Sequence, residues 1–226
     1  MKQTAKGKPG LESSRSISIS VEAGNLEGEL IIPAGANGIV LFAHGSGSGR
    51  RSPRNRFVAK VIRRTGCATL LFDLLTTAEE SIDDQTGQFR FDIDLLATRL
   101  GAATDWITRD SETCAFRVGY FGASTGGAAA IVAAAQPEMK IDAVVSRGGR
   151  PDLAERALFQ VRAATLLIVG ERDDEVLELN REAYEQLQCE KQLTVIPRAT
   201  HLFEEPGALE LVAHSAATWF STHFRI

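Results

Sequence analysis

The sequence predicts an α/β domain, a doubly wound, mostly parallel sheet with helices on both faces. Three observations predict it. Short β-branched apolar runs alternate along the chain with longer segments of helical period, an order that calls for a sheet covered on both sides. Most of those runs are continuously apolar, as strands buried on both faces are. The length of 226 residues, 44% of them hydrophobic, suits one large domain whose core needs no disulfide or metal staple.

The elements follow in order. Residues 1–15 (MKQTAKGKPGLESSR) are polar, with four basic residues against one Glu and no apolar stretch. They are expected as a flexible N-terminal tail and not a secretory signal, with the domain over 16–226. Residues 16–21 (SISISV) alternate with period two as an edge strand, and 29–32 (ELII) form its hairpin partner across a turn at Gly24-Asn25. Residues 38–43 (GIVLFA) read as a buried strand. Ser52-Pro53 supplies an N-cap and a first-turn proline for a helix to about Arg64. A strand over 67–72 (CATLLF) follows.

Residues 73–90 carry Glu79, Glu80, Asp83 and Asp84 and are expected as loop or short irregular helix. Leu96, Leu100, Ala103 and Ile107 then fall at helical spacing. Residues 116–121 (FRVGYF) form a strand and 124–136 an Ala-rich helix ended by Pro137. Next come strand 141–146 (IDAVVS), a short loop with a helix from Pro151, and strand 165–169 (TLLIV). A helix over 176–187, a strand over 192–196 and a helix from Pro206 complete the pattern, the last with a stripe of Leu209, Val212, Ala216 and Trp219 or Phe220. In such sheets ligand sites lie outside the carboxyl ends of the strands.

Composition excludes several classes of function. With 25 Lys+Arg against 29 Asp+Glu and a net charge of −4, the chain lacks the basic footprint of a nucleic-acid binder. No run approaches the roughly 18 apolar residues of a membrane span, so no membrane partner is expected. Cys67, Cys114 and Cys189 are odd in number and form no CxxC pair, as reduced thiols of a cytoplasmic protein would. No His/Cys/Asp spacing suits a metal site, and neither a metal nor a cofactor is expected.

Gly122-Ala123-Ser124-Thr125-Gly126 matches G-x-S-x-G at a strand-to-helix junction, the context of a nucleophile elbow. A sharp turn there strains Ser124 and exposes its hydroxyl above the sheet, and a side chain at Gly122 or Gly126 would clash with the neighbouring strand or helix. His44-Gly45-Ser46-Gly47-Ser48-Gly49 follows an earlier strand. Its Ser46 N–H is the expected partner of the Thr125 N–H in an oxyanion hole. A phosphate-cradling reading of this loop fails, because neither G-x-x-x-x-G-K-[ST] nor G-x-G-x-x-G is matched.

Of four histidines, His44 ends a strand and is expected to orient the loop, and His214 and His223 fall in the last helix. His201 lies between the last strand and the last helix, at the carboxyl edge, and suits a general base in the order Ser…Asp…His. The acid belongs after TLLIV, where Asp173 is preferred over Asp174 and Glu171, with Asp152 a more distant alternative.

Residues 42–50 (FAHGSGSGR), 120–127 (YFGASTGG), 170–174 (GERDD) and 199–206 (ATHLFEEP) together resemble the α/β-hydrolase superfamily, in particular its dienelactone-hydrolase-like branch. The resemblance implies the α/β-hydrolase fold, a triad of Ser124, Asp173 and His201, and an ester or lactone substrate. One departure is that dienelactone hydrolases proper use a Cys nucleophile where this chain has Ser124. The chain also looks like the hydrolase portion found fused to phosphoribosyltransferase domains in some bacterial proteins. About 18 residues separate IDAVVS from TLLIV, which leaves minimal or no cap and an open site with 73–90 as its only covering segment. Arg50, Arg51, Arg54 and Arg56 cluster by the oxyanion loop, and Arg147 and Arg150 follow another strand at that edge. One of them, Arg50 and Arg147 foremost, is the candidate to grip a small-molecule acyl substrate of negative charge. A carboxylesterase-like serine hydrolase is the expected function. The competing class is a hydrolase fold kept as a binding or regulatory module, against which the intact Ser124, Asp173 and His201 argue.

Overall fold

Short apolar β-branched runs satisfy their backbone groups by pairing with one another, and the sheet they form sets the rest of the architecture. The computed structural model describes residues 12–224. Its strands are β1 (Ser13–Val21), β2 (Gly24–Ile32), β3 (Gly38–Ala43), β4 (Ala68–Phe72), β5 (Arg117–Ala123), β6 (Ala143–Arg147), β7 (Ala164–Gly170) and β8 (Lys191–Ile196). They form one sheet in the order β1-β2-β4-β3-β5-β6-β7-β8. β1 and β2 join antiparallel, and every pair from β4 across to β8 is parallel. β3, β4, β6 and β7 are buried along their whole length, whereas β1 alternates, with Ile17 and Ile19 inward.

The helices are α1 (Pro53–Arg63), α2 (Thr77–Thr86), α3 (Ile93–Arg109), α4 (Thr125–Ala134), α5 (Ala157–Gln160), α6 (Asp174–Gln186) and α7 (Ala208–His223). One face of the sheet carries α1 and α7, with Val58, Ile62, Val212 and Phe220 packed on Phe42 and Phe121. On the other, Leu96 and Leu100 of α3 and the alanines of α4 pack on Leu41 and Tyr120. α7 lies close because β3 and β5 present glycines. A Cβ at Gly38 would stand 2.3 Å from the Phe224 ring, and one at Gly119 2.7 Å from Phe220. Between β6 and β7 stand only a 3-10 turn (Pro151–Ala154) and the four residues of α5. The fold is that of the α/β-hydrolases, and no cap domain is present among the described residues.

Three local expectations need correction. The hairpin turn is Glu22-Ala23, and Gly24 and Asn25 already pair in the ladder with Val21 and Ser20. β1 begins at Ser13, so the last residues of the expected tail belong to the sheet, and Arg15 pairs with Asp110 at 2.6 Å. Residues 1–11 of that tail lie outside the described residues. The segment 73–90 holds a regular ten-residue helix, α2.

Polar bonds hold α2. Its N-terminus is a capping box in which Thr76 Oγ1 accepts from the Glu79 N–H and Glu79 accepts from the Thr76 N–H at 2.8 Å. Glu79 also pairs with the buried Arg99 of α3 at 2.6 Å. At the other end Gly87 takes φ 68°, and Asp83 accepts from the Phe89 and Arg90 N–H groups and from the Arg90 guanidinium. Burial pushes the Asp83 carboxyl up, but those N–H donors and the guanidinium outweigh it and hold its pKa below the ordinary value. Asp83 is the only residue of α2 that is fully buried. Removing Arg99 strands the Glu79 carboxylate in a nearly dry site, so Arg99→Ala is expected to lower stability by about 3 kcal/mol in urea unfolding.

Candidate active site

The turn after β5 is as tight as the glycine spacing demands. Ser124 stands alone between the end of β5 and the start of α4, at φ 52° and ψ −121°. A left-handed φ costs a non-glycine residue about 1–3 kcal/mol and persists only where the surroundings impose it. Here they do. A Cβ at Gly122 would stand 2.3 Å from Gly126 O, and one at Gly126 would stand 2.2 Å from Ala43 O, so α4 begins in contact with the ends of β5 and β3. The Ser124 N–H donates to Arg147 O, and Ser124 O accepts from the Gly127 and Arg150 N–H groups at 2.9 and 3.2 Å. Thr125 opens α4, so its N–H has no acceptor within the helix.

The loop after β3 is tied down from below. His44 Nε2 accepts from the Leu74 N–H at 2.9 Å, which assigns the ring proton to Nδ1, and Nδ1–H donates to Gly45 O at 3.0 Å. Burial lowers the His44 pKa, against smaller opposing effects of Gly45 O and Asp73. Farther along, Asp73 accepts from the Arg50 N–H at 2.7 Å and pairs with its guanidinium. Two consecutive residues after β4 therefore anchor both ends of the loop that carries Ser46.

Asp173 follows β7 and His201 follows β8, and the structure brings them together: Nδ1 of His201 is 2.6 Å from Asp173 Oδ2. The loop bearing His201 lies against Gly170, where a Cβ would stand 2.4 Å from Ala199 O. Glu205 braces it by accepting from the Thr200 N–H at 3.0 Å and the Thr200 hydroxyl at 2.7 Å. The Thr200 hydroxyl in particular holds the Glu205 carboxyl below its usual pKa. The other carboxylates weighed from the sequence lie elsewhere. Glu171 accepts from the Arg198 N–H, Asp152 pairs with Arg150 at 2.7 Å, and Asp174 begins α6.

Ser124, His201, Ser46 and Arg147 line one cavity of about 230 Å³. Arg147 is 8% exposed, with its guanidinium over the Phe203 ring at 5.6 Å. Burial, and then the charge of Arg54, pushes its pKa down to about 10. Arg50 lies elsewhere. It lines a neighbouring cavity of about 470 Å³ that shares Gly45, Ser46 and Ser48 with the first and also touches Thr125. Arg54, one of the arginines expected by this loop, lines the Ser124 cavity, and sequence reasoning missed that Ser52 and Asn55, at the start of α1, line it too. The Ser52-Pro53 signal marked where that helix begins, but nothing in it says that the helix end turns toward Ser124.

Residues 31–224 match the model of the dienelactone hydrolase family. The chain belongs to the dienelactone hydrolase family. A solved dienelactone hydrolase from Anabaena variabilis is 59% identical, with a TM-score of 0.92 over 95% of this chain and 99% of that one. Among curated proteins, relatives from two strains of Mycobacterium tuberculosis, named for phosphoribosyl transfer, are 57% identical over 196 residues. The match covers 87% of this chain but only 43% of those proteins, so the chain spans less than half their length. Est1E from Butyrivibrio proteoclasticus, 17% identical over 92% of this chain and 98% of that one with a TM-score of 0.77, shares the fold. Among the described residues of this dienelactone hydrolase family member, no helix is long and apolar enough to cross a membrane.

The His44 tether has a pH signature. The folded-state pKa lies below the ordinary value of 6.5, so in acid the unfolded chain binds a proton that the folded one refuses. Stability is then full above about pH 6.5 and is lost as pH falls from there toward the lowered folded pKa. The unfolding midpoint of the wild type is expected to fall between about pH 7 and pH 5. His44→Gln, which cannot titrate, should show a shallower slope when thermal melts are compared across that range.

Proposed function

We propose that this family member is a serine hydrolase of carboxylic esters, lactones or thioesters, a carboxylesterase-like enzyme working through an acyl-enzyme on Ser124. The observation that carries this reading is the 2.6 Å bond between His201 and Asp173, made beside the cavity that Ser124 and His201 share. Membership of a hydrolase family supports the reaction class.

In the proposed cycle Asp173 accepts from the Nδ1–H of His201 and leaves Nε2 free to take the Ser124 proton. The Ser124 oxygen bonds to the acyl carbon, and the carbonyl electrons move onto oxygen. The Ser46 and Thr125 N–H groups receive that oxyanion, each worth roughly 3–4 kcal/mol of barrier. Collapse expels the alcohol or thiol, which takes the proton from His201. Water then repeats the sequence in reverse roles, releasing the acid and restoring Ser124. The strained elbow serves this chemistry by fixing the nucleophile before substrate arrives, so little ordering remains for the reaction itself.

The substrate is a small acyl compound, and the buried cation of Arg147 beside Ser124 favours a negatively charged one. The free thiols of Cys67, Cys114 and Cys189 suit a reducing, cytoplasmic setting. The phosphoribosyl-transfer name belongs to proteins more than twice the matched length, and the present reading concerns the hydrolase part alone.

A fluorophosphonate probe should label the wild type, and Ser124→Ala should abolish both labelling and hydrolysis of p-nitrophenyl acetate. Asp173→Asn should retain the fold but lower kcat by roughly 10⁴-fold through loss of the correct His201 tautomer. Absence of labelling in the folded wild type would leave the protein as a binding module.

A further inference from the structure

We infer that the cavity beside Ser124 is built for substrates bearing a phosphate monoester, whose dianion is held by Arg147, Arg54 and the N-terminus of α1. The binding claim rests on the cavity itself; only its catalytic consequence rests on the serine hydrolase reading.

The first observation is a buried charge without a counter-ion. Among the described residues no hydrogen bond or ion pair engages the Arg147 guanidinium, and its Nε is buried with no partner. Natural proteins rarely bury a cation unpaired, because several kcal/mol of lost hydration must be offset. The Phe203 ring orients the guanidinium plane but supplies only a quadrupole. A second cation stands nearby. Arg54 lines the same cavity, and its charge contributes to the lowered proton affinity of Arg147. Its own partner, Glu204, is exposed and 3.3 Å away.

The remaining wall carries no negative charge. Ser46, Ser48, Ser52 and Asn55 line it, and among the described residues no Asp or Glu does. Across the oxyanion loop the neighbouring cavity is mixed, with Asp73, Glu80, Asp83 and Asp84 in its wall beside Arg50, Arg51 and Arg90. The helix end adds a third element. Ser52 caps α1 by accepting from the Asn55 N–H, and Pro53 has no N–H, so the Arg54 N–H is the first-turn donor left without an acceptor in the helix. N–H groups at a helix start, with the helix dipole behind them, favour an anion.

The number of charges decides between oxyanions. A carboxylate brings one negative charge and suits a single guanidinium fork. Arg147 brings an uncompensated charge, Arg54 one that the exposed Glu204 only partly offsets, and the helix N-terminus a partial positive charge, together more than a monoanion neutralises. A phosphate monoester brings about −1.5 to −2 charges and three oxygens, enough to serve both arginines and the N–H.

Calorimetric titration of the whole protein with phenyl phosphate, beside benzoate, tests this without requiring turnover. Phenyl phosphate is expected to bind at least about tenfold more tightly than benzoate. Arg147→Gln and the half-exposed, more tolerant Arg54→Gln should each weaken it about tenfold or more. Phenyl phosphate should also slow fluorophosphonate labelling of Ser124. Equal or tighter binding of benzoate would overturn the phosphate assignment in favour of a carboxylate. Binding unchanged in both variants, or none at millimolar concentration, would overturn the site. Phenyl phosphate binding that depends on Arg54 and Arg147 in a protein that fluorophosphonate never labels would uphold the anion site and sink the hydrolase reading alone.

Discussion

Between the end of β5 and the start of α4 the backbone must pass against the end of β3 with no side chain to spare. Gly126 sits where even a methyl group would lie 2.2 Å from Ala43 O, and Gly122 meets Gly126 in the same way. That crossing forces Ser124 into a left-handed conformation, and it fixes the distance between the elbow and the loop after β3. Everything at this edge of the sheet inherits its position from that contact: the first N–H of α4, the Ser46 loop and the shared wall of the two cavities. Sheet and helices supply the stiffness that keeps a strained residue strained.

Around this point charge is distributed unevenly. His44 is held toward its neutral form by burial, while its two ring nitrogens accept one hydrogen bond and donate another. Asp73 and Arg50 neutralise each other beside it. Asp173 and His201 are paired across two loops that meet at Gly170. Against that background of satisfied groups, Arg147 stands out as a buried cation with an aromatic ring for company and no carboxylate. The residue ends β6, and its carbonyl accepts from the Ser124 N–H, so the cation is tied directly to the elbow.

Much of this was legible in the sequence wherever local pattern and chemistry coincide. The parallel strands are buried on both faces, so their apolar runs announced them, and Ser124, Asp173 and His201 fall just past strand ends, where loops converge. α2 was legible only as loop or short irregular helix because its stability is polar: a capping box, the Glu79–Arg99 pair and the Asp83–Arg90 bonds leave no apolar periodicity to read. The hairpin turn misled for a related reason. Gly24-Asn25 is a strong turn signal, yet Gly24 uses its φ of 131° inside the strand. Burial of an arginine cannot be read from sequence at all. Arg50 and Arg147 look alike in their loops, and only the assembled fold gives one a carboxylate and leaves the other without.

The twin anchors of the Ser46 loop have a consequence for how this protein tolerates change in length. Asp73 and Leu74 are adjacent residues, one holding Arg50 and the other His44. An insertion or deletion before Leu74 would shift both anchors together and release the loop at both ends. Beyond Leu74 the chain enters α2, whose attachments are polar and confined to its own termini and Arg99. The anchoring frame thus ends at a single peptide bond, and a rebuilt segment from there to α3 would leave both anchors in place, provided that it returns a partner to the buried Arg99.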